Sequence, residues 1–233
     1  PNIGYHTERE VDRNRDREEN GLEKIASRMN AITDSAKLNE DSFTSFADWI
    51  EGSITLSTLG DQVATGPGKV TKTWKNEGRN YYQLNFEHQS PYDWYFASGE
   101  YQSPVFYAGN VQFSFLYKAL HDYNLVLYEN AIRQSLSFVN DHLGSYPFSE
   151  LRIVEIPFFQ EEFYAYPNVV AISEKEGWYA DTTGLAERSY MTYTSASKII
   201  SQWLYLYVEI GNVQGSDMLK VALSGAMALE VVK

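Results

Sequence analysis

Residues Val111–Ile156 read VQFSFLYKALHDYNLVLYENAIRQSLSFVNDHLGSYPFSELRIVEI, and within them the hydrophobic period changes twice. Val111, Phe113, Phe115 and Tyr117 alternate with Gln112, Ser114 and Leu116, the two-residue repeat of a half-buried strand. From about Asp122 the repeat lengthens. Leu125, Tyr128, Ile132, Leu136, Val139 and Leu143 share one helical face, and Gly144 is placed to end that helix. Leu151–Ile156 (LRIVEI) is then a compact apolar strand. The change of period near residue 118 separates a β part from a mixed part, so the expected fold class is α+β.

Upstream, Tyr82, Leu84 and Phe86 alternate with Gln83, Asn85 and Glu87. Gly66-Pro67-Gly68, Asn76-Glu77-Gly78 and Ser90-Pro91 supply turns between strands, and residues 46–118 read as an antiparallel β-domain, sheet or sandwich. Residues 1–45 form a polar lead-in, with charges alternating in sign from Glu8 to Glu19. Within it, Leu22, Ile25, Met29 and Ile32 recur at helical spacing and predict a short helix. Downstream, residues 119–233 form the mixed domain. Helices are expected over Ser195–Tyr207 and Ser216–Val232. In the second, Ser216 is the cap and Met218, Leu219, Ala222, Leu223, Ala226 and Leu229 face inward.

Composition narrows the function classes. The 233 residues carry a formal charge of −12, which repels a phosphate backbone and an anionic membrane surface, so nucleic acid is excluded as a partner. The absence of cysteine removes disulfides, thiolate metal ligands and a cysteine nucleophile together. Eighteen Tyr, 12 Phe and 5 Trp point to aromatic-rich packing in β-structure. No apolar run is long enough to cross a bilayer, and the start at Pro1 without Met reads as an excised piece of something longer.

Conventional catalytic patterns are thin. His6, His88, His121 and His142 lie too far apart for a helix-borne zinc pair and read as separate surface or capping residues. Glu161, Glu162, Glu174, Glu176 and Asp181 crowd one region, but their spacing matches no calcium loop, and a solvated acidic loop is the expectation. Ser195-Ala196-Ser197-Lys198 fits S-x-x-K, in which a lysine activates a serine, without the partner motifs that accompany it. A hydrolase using Ser195 or Ser197 with Lys198, or an acidic metal cluster, is the alternative this leaves open.

The order of several segments resembles the aminopeptidase N-type zinc metallopeptidases, the gluzincins. Pro147–Pro157 (PFSELRIVEIP) looks like the strand that leads to their substrate edge. Tyr166–Glu174 (YPNVVAISE) resembles the segment that carries G-A-M-E-N in active relatives. Thr194–Leu204 (TSASKIISQWL) resembles the helix T-A-H-E-x-A-H-Q-W-W. Asn212–Leu219 (NVQGSDML) looks like the start of the helix that delivers the third zinc ligand. Pro1–Tyr5, Thr58–Gly68 (TLGDQVATGPG) and Gly78–Tyr81 are similar to segments of peptidase-like domains joined to bacterial ABC-type permeases.

The resemblance implies an antiparallel β-domain followed by a partial thermolysin-like α/β peptidase domain. It also implies an extracytoplasmic location, a parent permease, and a peptide or protein ligand. It puts the former zinc ligands and general base at Ser197, Lys198, Ser201 and either Lys220 or Val221, and the remains of a substrate groove at Tyr166, Pro167, Asn168 and Glu174. Pro167 stands where the amine-binding glutamate belongs. Neutral serine hydroxyls are poor zinc ligands and an ammonium repels the cation, so the expectation is a domain without zinc, cofactor or peptidase chemistry that binds or scaffolds, or serves purely as a structural spacer.

Overall fold

The computed structural model describes residues 14–22, 24, 30–40, 49–90, 94–157, 163–208 and 210–233. Two short helices, α1 (Asn14–Glu19) and α2 (Ser35–Leu38), come first. Five strands follow: β1 (Ser53–Leu59), β2 (Val63–Thr65), β3 (Lys69–Asn76), β4 (Arg79–Asn85) and β5 (Ala97–Gly99). Then come β6 (Tyr101–Gln102), β7 (Val105–Ala108), β8 (Val111–Lys118) and helix α3 (Leu125–His142). The chain continues through β9 (Glu150–Ile156), β10 (Phe163–Tyr166) and β11 (Val169–Ser173) to helices α4 (Leu185–Tyr207) and α5 (Ser216–Val232). The fold is mixed α+β.

The periodic stretch forms the elements its pattern predicts. Tyr128, Ile132, Leu136 and Val139 of α3 are buried, and Gly144 at φ +120 closes the helix with its N–H on the Val139 carbonyl. The partners of β8 differ from expectation. Rather than closing an antiparallel domain, β8 lies inside a mixed sheet ordered β10-β11-β9-β8-β6, with β7 also paired to β8. β8 and β9 are parallel, as are β9 and β11, whereas β10 runs antiparallel on the edge. The division between the two parts therefore falls before β6, not at residue 118. Every residue of β9 is buried because the strand is covered on both faces. Phe113, Phe115, Leu151, Ile153, Ile172 and Trp178 pack on α3 and α4. Each such side chain contributes on the order of 1.5–3 kcal/mol by leaving water.

The remaining strands form a three-stranded antiparallel sheet, β1-β4-β3, and a small pair, β2-β5. Glu77 at φ 49 and Gly78 at φ 72 make the two-residue turn joining β3 to β4, the left-handed pairing that tight hairpins favour. The Gly66–Gly68 turn has a second role. The Arg152 guanidinium donates to the Gly66 and Gly68 carbonyls at 3.0 and 2.9 Å, and pairs with the Glu150 carboxylate. Asn168 accepts from the Gly68 N–H and donates to the Gly68 carbonyl, both at 2.9 Å. These bonds bind the β part to the mixed sheet.

Other expectations are corrected. Helix α4 begins at Leu185, well before Ser195. Helix α5 turns Met218, Leu219, Ala222, Ala226 and Leu229 to solvent; of the expected inward residues Leu223 packs on the core, joined by Ser224, Ala228 and Val231. Gly215, not Ser216, caps it; the buried Ser216 hydroxyl bonds the Gly211 and Val213 carbonyls of the preceding loop. The helix expected through Leu22, Ile25, Met29 and Ile32 lies mostly outside the described residues, and Leu22 and Ile32 are exposed. Part of the lead-in is docked: the Asn212 N–H donates to the Lys37 and Glu40 carbonyls, and the Gln214 N–H to that of Asn30.

Candidate functional site

Helix α4, helix α5 and the β10–β11 turn meet around a cavity of about 210 Å³. Helix α4 supplies Ser197, Lys198, Ser201, Leu204 and Tyr205, residues that recur at three- and four-residue spacing on the side facing α5. Helix α5 supplies Lys220, Val221 and Ser224, again one turn apart, and the edge strand with its turn supplies Ala165, Tyr166 and Pro167. All five positions assigned to the former ligands and base, together with Tyr166 and Pro167, line this one cavity. Asn168 and Glu174 do not. Asn168, fully buried at φ 52, belongs to the Gly68 clamp, and Glu174 lies beyond the other end of β11.

The walls are held by polar contacts. Ser197 Oγ reaches Ser224 Oγ at 3.5 Å across the two helices, and Ser201 Oγ donates to the Lys198 carbonyl at 2.9 Å. Buried Gln202 fastens α4 to the turn: its Nε2 donates to the Tyr166 carbonyl at 2.6 Å and to the Val169 carbonyl at 3.1 Å, and its Oε1 accepts from the Tyr146 hydroxyl at 2.5 Å. Tyr166 stacks on Tyr95 with ring centroids 5.2 Å apart, and burial pushes the Tyr95 phenol up to about 12. Gln202 sits one turn after Lys198, and Ser224 one turn after Lys220, so helical spacing was the signal for both.

The donor set does not suit zinc. Among the described residues the lining brings two ammonium groups, three serine hydroxyls and two tyrosine phenols, and no imidazole, carboxylate or thiolate. The residues do not fit the metal that active gluzincins hold, and no step through a metal follows. The S-x-x-K reading loses its first serine: Ser195 is 1% exposed, lies outside the cavity, and its hydroxyl has no hydrogen-bond partner among the described residues.

A second cluster forms at the carboxyl ends of β9 and β11. His121, Glu155 and Glu174 bring ligand-type atoms within 4.8 Å of one another. His121 is thus no isolated surface residue. His121 Nδ1 bonds Glu155 at 2.7 Å, and its Nε2 meets the Tyr179 hydroxyl. The Lys118 ammonium bonds Glu174 at 3.0 Å, while the Lys118 N–H donates to Glu155 at 2.9 Å. Burial raises the Glu155 carboxyl above its ordinary value, against the lowering effect of the Lys118 N–H and His121. Both His121 nitrogens and both carboxyl groups are engaged inside the network, and a divalent cation would have to displace the Lys118 ammonium. The cluster is a closed hydrogen-bond network. The legible sign of it was Glu155, an acid inside an apolar strand. Of the acidic crowd, Glu161 and Glu162 lie outside the described residues.

No model of a known protein family matches the chain, and no curated protein matches its sequence.

Proposed function

We propose that this chain is a catalytically inactive domain of the aminopeptidase N type whose groove binds an extended peptide, serving an ABC-type permease as a binding or scaffolding module. The observation that carries the reading is the convergence of Ser197, Lys198, Ser201, Lys220, Val221, Tyr166 and Pro167 on one cavity. Sequence resemblance alone selected those positions, from three separate segments.

The arrangement supports peptide binding on physical grounds. Among the described residues β10 is paired on one side only, and a sheet edge accepts an extended chain through main-chain hydrogen bonds, while an adjoining cavity selects a side chain or terminus. Inactivity follows from residue type: a hydroxyl and an ammonium supply neither a zinc ligand nor the carboxylate base of a gluzincin. The permease and the extracytoplasmic location rest on the sequence resemblance.

The test is retention of random peptides by the immobilised full chain, with bound peptides read by mass spectrometry. The expected result is enrichment of a consensus, recovered uncleaved, and lost when Ser201→Trp fills the cavity. Absence of enrichment overturns peptide binding, and cleavage of the retained peptides overturns inactivity.

A further inference from the structure

We infer that the outward face of the β1-β4-β3 sheet binds a linear acidic polysaccharide whose charges are set apart by neutral sugars. This face shares no residue with the cavity between α4 and α5, and the inference does not depend on peptide binding. The pairing register settles which side chains share the face. Lys69, Lys72 and Trp74 of β3 stand opposite Asn85, Gln83 and Tyr81 of β4, and Asn76 stands opposite Arg79. Tyr81 and Gln83 in turn pair with Ser57 and Thr55 of β1. Contacts above the sheet agree with the register. The Lys72 ammonium lies 5.2 Å from the centre of the Trp74 ring, and Trp74 stacks on Tyr81 at 5.1 Å. Arg79 Nε and Nη2 donate to Ser57 Oγ at 3.1 and 3.0 Å.

The charge of this face is opposite to that of the chain. Residues 53–85 carry four cations and two acids, in a protein of net charge −12. Lys69, Lys72 and Arg79 point outward, no outward position of the three strands is acidic, and Asp61 and Glu77 lie in turns. Lys72 and Arg79 contact the neutral Trp74 ring and Ser57, and among the described residues neither they nor Lys69 forms an ion pair. Lysines on an edge strand guard against strand addition, which accounts for Lys69 and Lys72. It accounts neither for Arg79 on the central strand nor for an aromatic pair on the solvent side.

Spacing decides the kind of anion. By strand rise, Lys72 and Arg79 lie two rows and about 13 Å apart along the sheet, and the row between them, Trp74, Tyr81 and Ser57, is uncharged. A small anion would use one end alone. A polymer charged on every unit would lay anions over the neutral row and meet the repulsion of the chain without compensation there. A membrane surface would take up apolar groups, and among the outward residues Leu59 is the exposed large hydrophobic. Neutral sugars suit the middle: their hydroxyls match Ser57, Thr55 and Gln83, and their C–H faces pack on the Trp74–Tyr81 ridge. The net charge opposes binding only at range, because at about 0.1 M salt its field fades within roughly 10 Å.

The full chain is passed over immobilised hyaluronate, a linear polysaccharide with a carboxylate on every second sugar, and over neutral dextran. Binding is expected on hyaluronate alone, and should weaken as salt rises. Lys72→Gln should lower it about 2- to 5-fold, and Lys69→Gln with Lys72→Gln about 5- to 30-fold, the range that exposed ion pairs give. Lys75 stands opposite Asn80 and points from the other face of the same strand, so Lys75→Gln should leave binding nearly unchanged. No retention on hyaluronate overturns the site. A loss with Lys75→Gln equal to that with Lys72→Gln overturns the face, because the charge of the strand alone would then suffice. Equal or stronger binding to poly-glutamate, or to vesicles containing phosphatidylglycerol, overturns the polysaccharide and assigns the face to an acidic protein or a membrane.

Discussion

Arg152→Met removes the guanidinium that joins the β part to the mixed sheet while keeping most of the aliphatic stem. In the folded chain the Arg152 and Glu150 side chains are 7% and 11% exposed, so little of the pair reaches solvent. Without Arg152 the Gly66 carbonyl loses the guanidinium, and among the described residues the Glu150 carboxylate keeps only the Val70 N–H at 3.2 Å. The Gly68 carbonyl still receives Asn168. Stranding a buried charge costs about 3–5 kcal/mol, several times what an exposed pair contributes. Arg152→Met with Glu150→Leu removes both charges and leaves two orphaned backbone groups, each worth about 1–3 kcal/mol but offset by the added apolar area. The double variant should therefore be more stable than Arg152→Met alone. Urea denaturation followed by tryptophan fluorescence measures this, with Trp74 in β3 and Trp178 in the core reporting on the two parts. If the parts unfold separately, each transition is fitted on its own. An Arg152→Met cost below about 1 kcal/mol, or a double variant equal to the sum of the single ones, would refute the clamp.

Gly68→Ala tests the same junction from the other side. At φ +87 an added Cβ would sit 2.5 Å from the Asn85 carbonyl oxygen, so the loss should exceed the about 1–3 kcal/mol of backbone strain alone. Gly109→Ala, at φ +57 with nothing within 4 Å, isolates the strain, and equal losses in urea melts would show that the contact is irrelevant. Glu155→Gln tests the closed network through pH. Burial raises the Glu155 carboxyl, so the fold favours its protonated form; that contribution is complete below the unfolded value near 4.5 and lost as pH rises through the folded value. The variant should lose less stability than the parent as pH rises from about 4.5, the ordinary value, through the raised value of the folded state, and identical slopes in denaturation series would rule the burial account out.

Local periodicity was legible, and pairing was not. The alternation of Val111–Tyr117 says which side chains are buried, but a strand with the same alternation can pair in parallel or antiparallel, and β8 joined β9. The inward face of α5 was only partly read, through Leu223, because apolar residues surround the helix: Met218, Leu219, Ala222 and Leu229 offer as good a stripe as Leu223, Met227 and Val231. The first turns of α4 contain Tyr190, Thr192, Tyr193 and Thr194, residues of modest helix propensity, and packing of Met191 and Thr194 overrides that preference. Family resemblance, not periodicity, named Ser197, Lys198, Ser201, Lys220 and Val221, and helical spacing adds only that residues three or four apart share a face. The clamp was hidden because Gly66-Pro67-Gly68 announces a turn and says nothing of what the turn touches. Arg152 within an apolar strand was the available hint.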